Sequence, residues 1–463
     1  MADSHGGSML PGLATVQKFV VDMQVKRSLP ITAKMLIITQ AVVLFVFFII
    51  SPSQTLNNFS LLIFFSPLWV VPILYKALKD RRLQSRRAEY LNEREYVLLE
   101  ILMPRDTAKT PKAMETFFSS LHIGTGESTW WKILVEGRMR PWWSFEIVSL
   151  GGRIHFYIWT QAYYRRLVES YLYSQYPNVE IIEAEDYSRL TDPSDDQHDL
   201  WGCEYVLSQD DAFPILTYVD YDMNPGDKPE ETVDPLAQLL ELMGSIGPKE
   251  QLWLQFIIRQ NKDEKFEGMR NKVGKQYSFK DQAAEVVSAL RDSTVRETTR
   301  IDPATGQEIK SQGFPNPTKG ISETIASVER KVAKQNFDVG IRCIYSAEKD
   351  AFNPVMIPAQ LTLFKPFNNE TSNRLSVTSV FGGAFNDFPW EDPGGHHRVH
   401  LKHVVKDMYR RRIYYASPYV GPWNIMSTEE LATLFHVPSS AITTPNLPRI
   451  QSTTAGAPSN LPT

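Results

Sequence analysis

Cysteine is nearly absent from this chain: its 463 residues hold two, Cys203 and Cys343, far apart and each in an apolar setting. That excludes a disulfide framework and a cysteine-spaced metal site, and it fits a reducing cytoplasm. A strong excess of one charge is lacking too. The formal net charge of −4 gives no global reason to expect nucleic acid. No G-x-S-x-G elbow or paired cysteine and histidine arrangement occurs. A phosphate loop is mimicked by Gly268, Gly274 and Lys275, but five residues rather than four separate the glycines. Gln276 also stands where Ser or Thr must reach magnesium. No catalytic residue, cofactor or resident metal is therefore expected.

Apolar residues are plentiful, at 43%, with 11% aromatic, enough for more than one core in a chain of this length. Two stretches, Met35 to Ser51 and Phe59 to Tyr75, carry no Asp, Glu, Lys or Arg. Each is about 17 residues, the short end of what spans a bilayer. They predict a transmembrane helical hairpin over 35–75, following a mobile amino-terminal arm over 1–34. Lys76, Lys79, Arg81, Arg82, Arg86 and Arg87 crowd behind the second stretch. Read by the positive-inside rule, they form a membrane-surface stalk over 76–94 against the lipid bilayer, with both termini and the main body cytoplasmic.

From Tyr96 the pattern turns to strands and helices in the α+β class. A strand to Pro104 precedes a helix opened by Thr110 and Pro111, then a hairpin turning at Gly151 and Gly152. A helix over Tyr163 to Tyr176 and the strand from Val179 to Tyr187 complete a βαββαβ order, a first ferredoxin-like module over 95–190. A second ferredoxin-like module over 205–442 is read from strand Pro214 to Asp222, helix Pro235 to Gly244 and strand Gln251 to Gln260. Strand Phe337 to Ala347, helix Asn353 to Phe367 and strand Arg411 to Tyr419 follow a helical insertion over 261–336. The end, 443–463, is a disordered tail or linker.

Some clusters invite chemistry. His396, His397, His400 and His403 sit close together, and three share a helical face that suits zinc. Arg398, Lys402 and the absence of an acidic ligand favour a solvated basic helix instead. That helix supplies a nucleic-acid or partner contact from Arg398, Lys402, Arg410, Arg411, Arg412 and Tyr414, with Tyr409 and Tyr415 as further stacking groups. Asp192, Asp195, Asp196, His198 and Asp199 lack the glycine turn of a calcium loop and read as a solvated inter-module loop. Trp130, Trp131, Trp142 and Trp143 fit a docking surface, a core or interfacial anchors equally.

The strings YVLLEILMPR, WWSFEIVSLGGRIHFYIWT and YYRRLVESYLYSQYPNVEI, with MSTEELATLFHVP near the end, resemble a known family. It is the region preceding the motor core in membrane-anchored proteins of bacterial type IV secretion and conjugation systems, similar to coupling proteins and conjugative-transfer ATPases. In that family the segment matching Ser427 to His436 resembles the helix leading toward a phosphate loop, yet no Walker strand is present here. The resemblance implies a non-catalytic inner-membrane scaffold that positions a separate secretion-type ATPase chain or its substrate, able to act as a homo-oligomer. The alternatives are a nucleic-acid-binding module at a membrane pore and an enzyme acting near the membrane.

Overall fold

A computed structural model describes residues 64–450 apart from 105–108, 190–196, 224–232, 272, 296, 302–307, 313–314, 382–393 and 440–446. It also describes scattered positions between 42 and 60. The amino-terminal arm and the end of the tail lie outside these residues, as do Asp192, Asp195 and Asp196 and most of the first apolar stretch.

The first continuous helix, α1 (Ser66–Asn92), corrects the expected hairpin. It runs without a break from the apolar second stretch into the basic segment, so its apolar part ends at Lys76. Among the described residues no helix is long and apolar enough to cross a membrane. The two spans, and the bacterial inner-membrane placement built on them, are therefore not supported. The far end of the basic half lies against the body. Arg86 backbone lies so close to Gly137 that a Cβ there would overlap it.

The fold class is corrected in the same way. Two separate modules behind a hairpin give way to one large, mostly antiparallel sheet of ten strands. The chain enters it with β1 (Tyr96–Pro104), then α2 (Pro111–Ser120), the short α3 (Trp130–Leu134), β2 (Trp142–Leu150), β3 (Arg153–Gln161), α4 (Arg165–Gln175) and β4 (Glu180–Glu183). Gly151 and Gly152 both have positive φ, 59° and 86°, which a two-residue turn joining twisted strands requires. The second half follows as β5 (His198–Leu207), α5 (Leu236–Gly244) and β6 (Glu250–Gln260). An insertion comes next, with α6 (Phe279–Asp292), the hairpin β7 (Glu297–Ile301) and β8 (Glu308–Gln312), and α7 (Lys319–Ala333). Then come β9 (Asn336–Glu348), α8 (Met356–Leu361) and β10 (Leu375–Phe381). Helix α9 (His396–Arg411), the two-residue strands β11 (Tyr415–Ala416) and β12 (Tyr419–Val420), β13 (Asn424–Ser427), α10 (Thr428–Leu434) and β14 (Arg449–Ile450) close the chain.

Two strand expectations fall with this order. Residues Pro214 to Asp222 form irregular chain ending in a turn, and the strand placed over Arg411 to Tyr419 shrinks to a tiny hairpin. The strands that occupy those places in the sheet are β5 and β10. The main path runs β10-β5-β9-β6-β2-β3-β1-β14, with β4 also on β1 and β13 on β9. The halves meet where β2 and β6 pair from Trp142 opposite Arg259 to Leu150 opposite Gln251.

Alternation along β2 shows how both faces are sealed. Trp143, Phe145 and Ile147 join the core beneath α2, α4, α5, α8 and α10, where Phe145 meets Phe118 and Phe435 edge-on with centroids 4.9 and 5.1 Å away. Trp142 and Val148 join a second cluster on the back face, under α9. Helix α10 is wholly buried and begins with a capping box. The Ser427 N–H donates to Glu430 Oε2 at 2.8 Å, and Glu430 N–H donates to Ser427 Oγ at 3.3 Å.

Candidate functional site

The back face is divided. Helix α9 crosses the second half, close enough to β5 that a Cβ at Gly202 would stand 3.2 Å from Val405 Cγ2. Beyond the end of α9, over β1, β3 and β2, lies a cleft of about 1030 Å³. Its floor is aromatic: Tyr96 stacks on Trp159 at 4.4 Å, and Trp159 lies 6.2 Å from Trp142. One wall carries Ile182, Glu183 and Glu185, the other Arg410 and Arg411.

Arg412 closes the inner end. It caps α9 in a left-handed conformation, with φ 52°, and is fully buried. Its Nε and Nη2 donate to Glu146 Oε1 and Oε2 at 2.8 and 3.1 Å. Nη1 and Nη2 donate to Asp186 Oδ2 and Oδ1, again at 2.8 and 3.1 Å. Glu146 further accepts from Ser144 Oγ at 2.6 Å, Tyr187 OH at 2.7 Å and Gln255 Nε2 at 3.0 Å. The hydroxyls of Tyr187 and Tyr409 lie 2.7 Å apart. Burial works against the Asp186 carboxylate, but Arg412 outweighs it and holds the pKa below its usual value. Burial drives the Tyr187 and Tyr409 phenols well above theirs. Every charged group of this node is committed to another, so it works as a latch between α9, β2 and the segment after β4.

The residues expected to form one basic contact are dispersed. Arg398 and Arg410 are exposed, whereas Lys402 is ion-paired with Asp199, and Arg411 donates to Asp407 at 2.8 Å. Arg412 and Tyr414 lie inside, as do Tyr409 and Tyr415. The basic residues of α1 separate as well: Lys76, Lys79, Arg81, Arg82 and Arg86 are exposed, but Arg87 turns toward a cavity of the body. Trp130 and Trp131 are exposed, Trp142 and Trp143 buried. Among the described residues no group of three or more His, Cys, Asp or Glu is placed to hold a metal. Asp186 and Glu146 escaped the sequence reading because their partner is distant; an acid inside the apolar run Trp142 to Leu150 was the available signal.

A family model described as Domain of unknown function (DUF8128) matches residues 75–449. The chain belongs to this family. The DUF8128 match opens within α1 and ends in β14, so it takes in the cleft, the latch and both halves of the sheet. Comparison with curated proteins gives no match.

Proposed function

We propose that the protein is a non-catalytic scaffold that holds a partner polypeptide in the back-face cleft. One observation carries this reading: α9 covers the back face of one half of the sheet, and the corresponding face of the other half is an open cleft with an aromatic floor. Glu185 on one wall and Arg410 on the other are exposed and suit a segment with opposite charges on its two sides, while Glu183 and Arg411 are held by Arg165 and Asp407. The buried charges beside it are mutually saturated, which supports docking over acid-base chemistry.

The resemblance of Ser427 to His436 to a segment preceding a motor core supports an ATPase chain as the occupant. A nucleic-acid role draws less support, because the tyrosines meant to stack on bases are interior. The test is hydrogen exchange on the full chain with and without a motor ATPase of the same genome. Protection is expected across Ile182 to Arg189 and Arg410 to Ile413, and Ile182→Asp should abolish it. Unchanged exchange in both segments would sink the proposal.

A further inference from the structure

A second cavity, about 670 Å³, opens between α1, the end of β6 and the loop that begins the insertion. Two of its three carboxylates are taken. Glu127 lies 2.6 Å from the Nε of Arg140, whose side chain is entirely buried. Glu264 is shared between Arg140 and Arg259. Arg259 Nε also donates to Asp338 at 2.9 Å. Three cations remain around the opening: Arg87, Lys262 and Arg270.

Arg87 is the informative one. Its Nε is shielded from water and has no hydrogen-bond partner among the described residues. Arg87 also lines the cavity, so a turn of its guanidinium toward an incoming anion would give that edge an acceptor and recover the free energy its isolation costs. Burial lowers the pKa of both Arg87 and Lys262 and, with Arg140 and Arg259, outweighs the nearby Glu127 and Glu264 carboxylates, which pull the other way. Arg270 donates through Nη1 to Gly274 O at 2.8 Å, which leaves further N–H groups free to turn inward. Glu267 is the one acid on this rim outside the ion-pair cluster, and it is exposed.

We propose that this cavity binds a small phosphate-bearing molecule through Arg87, Lys262 and Arg270. Guanidinium groups match phosphate geometry, and the volume lies within the ordinary range for small-ligand sites. The glycine loop that fails as a phosphate loop by spacing lies on this cavity, so recognition runs through side-chain cations rather than aimed backbone amides. Arg259 already packs on the rings of Tyr415 and Trp423, 4.1 and 5.5 Å from their centroids. No base-stacking role is therefore assigned to those rings. This inference is independent of the scaffold reading.

Isothermal titration of the full chain with sodium pyrophosphate tests it, with ADP as a second arm. We expect saturable one-to-one binding that Arg87→Met and Arg270→Gln each weaken about tenfold or more. Lys319→Gln, at the exposed start of α7, should leave it unchanged. ADP should bind no tighter than pyrophosphate. If Arg87→Met does not fold, the exposed Arg270→Gln decides alone. Absence of pyrophosphate binding at millimolar concentration overturns the site, as does binding that survives both substitutions or binding of ADP alone.

Discussion

Arg412 and Glu146, 266 positions apart in the chain, form a fully buried, doubly hydrogen-bonded ion pair. Removing one partner strands the other charge away from water. Arg412→Met should lower unfolding free energy by about 3–5 kcal/mol. The double variant Glu146→Gln/Arg412→Met should cost clearly less than the sum of its singles, because the fully buried Glu146 carboxylate is no longer stranded and only the half-buried Asp186, still held by Ser188, loses its cation. Urea denaturation of the three variants reads both effects. A loss below about 1 kcal/mol for Arg412→Met would show that the latch bears no weight.

Gly202 tests the seating of α9. A Cβ there meets Val405 Cγ2 and Cys343 O, both at 3.2 Å, and the second is backbone that cannot swing aside. Gly202→Val should destabilise by about 1–3 kcal/mol through overpacking. Limited proteolysis should cut first between β10 and β11, where α9 would lift. Unchanged stability and an unchanged cleavage pattern would mean that the helix packs less closely.

The two cysteines give a chemical probe. Cys203 and Cys343 lie opposite one another on β5 and β9, both fully buried. Burial pushes the Cys203 thiol up to about 12 and Cys343 well above its ordinary value. Since the thiolate is the nucleophile, native protein should not react with an aromatic disulfide reagent at pH 8, and denatured protein should release both equivalents. Rapid labelling of native protein would contradict the placement of β5.

His436 and Asp234 set a pH dependence. Burial opposes charge on His436, but Asp234, 3.0 Å from Nε2, prevails and raises the imidazole pKa. Burial likewise opposes the Asp234 carboxylate, and His436 brings it below its usual value. The histidine contribution is complete below about pH 6.5, its unfolded value, and disappears as pH rises through the raised native one. The aspartate contribution is present above about pH 3.9 and lost as pH falls through its lowered value. His436→Gln should therefore cost most near pH 5 and progressively less above neutrality, measured by denaturation at several pH values. A cost that grows with pH would refute the pairing.

Parts of this architecture are written locally. Tyr96 to Pro104 announces a strand by its apolar run and closing proline, and Gly151-Gly152 announces a turn. Other parts depend on distant partners. The strand His198–Leu207 looks too polar to be central, yet Glu204 is neutralised by Arg342 of β9, at 2.8 Å. Pro214 to Asp222 looks like a strand because its apolar residues alternate. Its amides instead find side chains, with Ile215 N–H donating to Glu430 and Tyr218 N–H to Thr433 Oγ1, at 3.2 and 3.0 Å. The basic run at the end of α9 looks like surface for the same reason: nothing near Arg412 in sequence reveals Glu146. The hairpin looks like two spans because each apolar stretch is about 17 residues, the short end of a span, whereas in the structure the second stretch is only the opening of α1, which continues through charged residues.

The seam between β2 and β6 makes each half of the sheet the finishing strand of the other. A peptide-bond cut between β4 and β5 would leave two pieces, each displaying a long row of unsatisfied amides and carbonyls along one bare edge. Such pieces are mutually sticky ends: made separately they would aggregate or wait, and mixed they would rebuild the whole, which makes this seam a natural place to split the molecule into a self-assembling reporter.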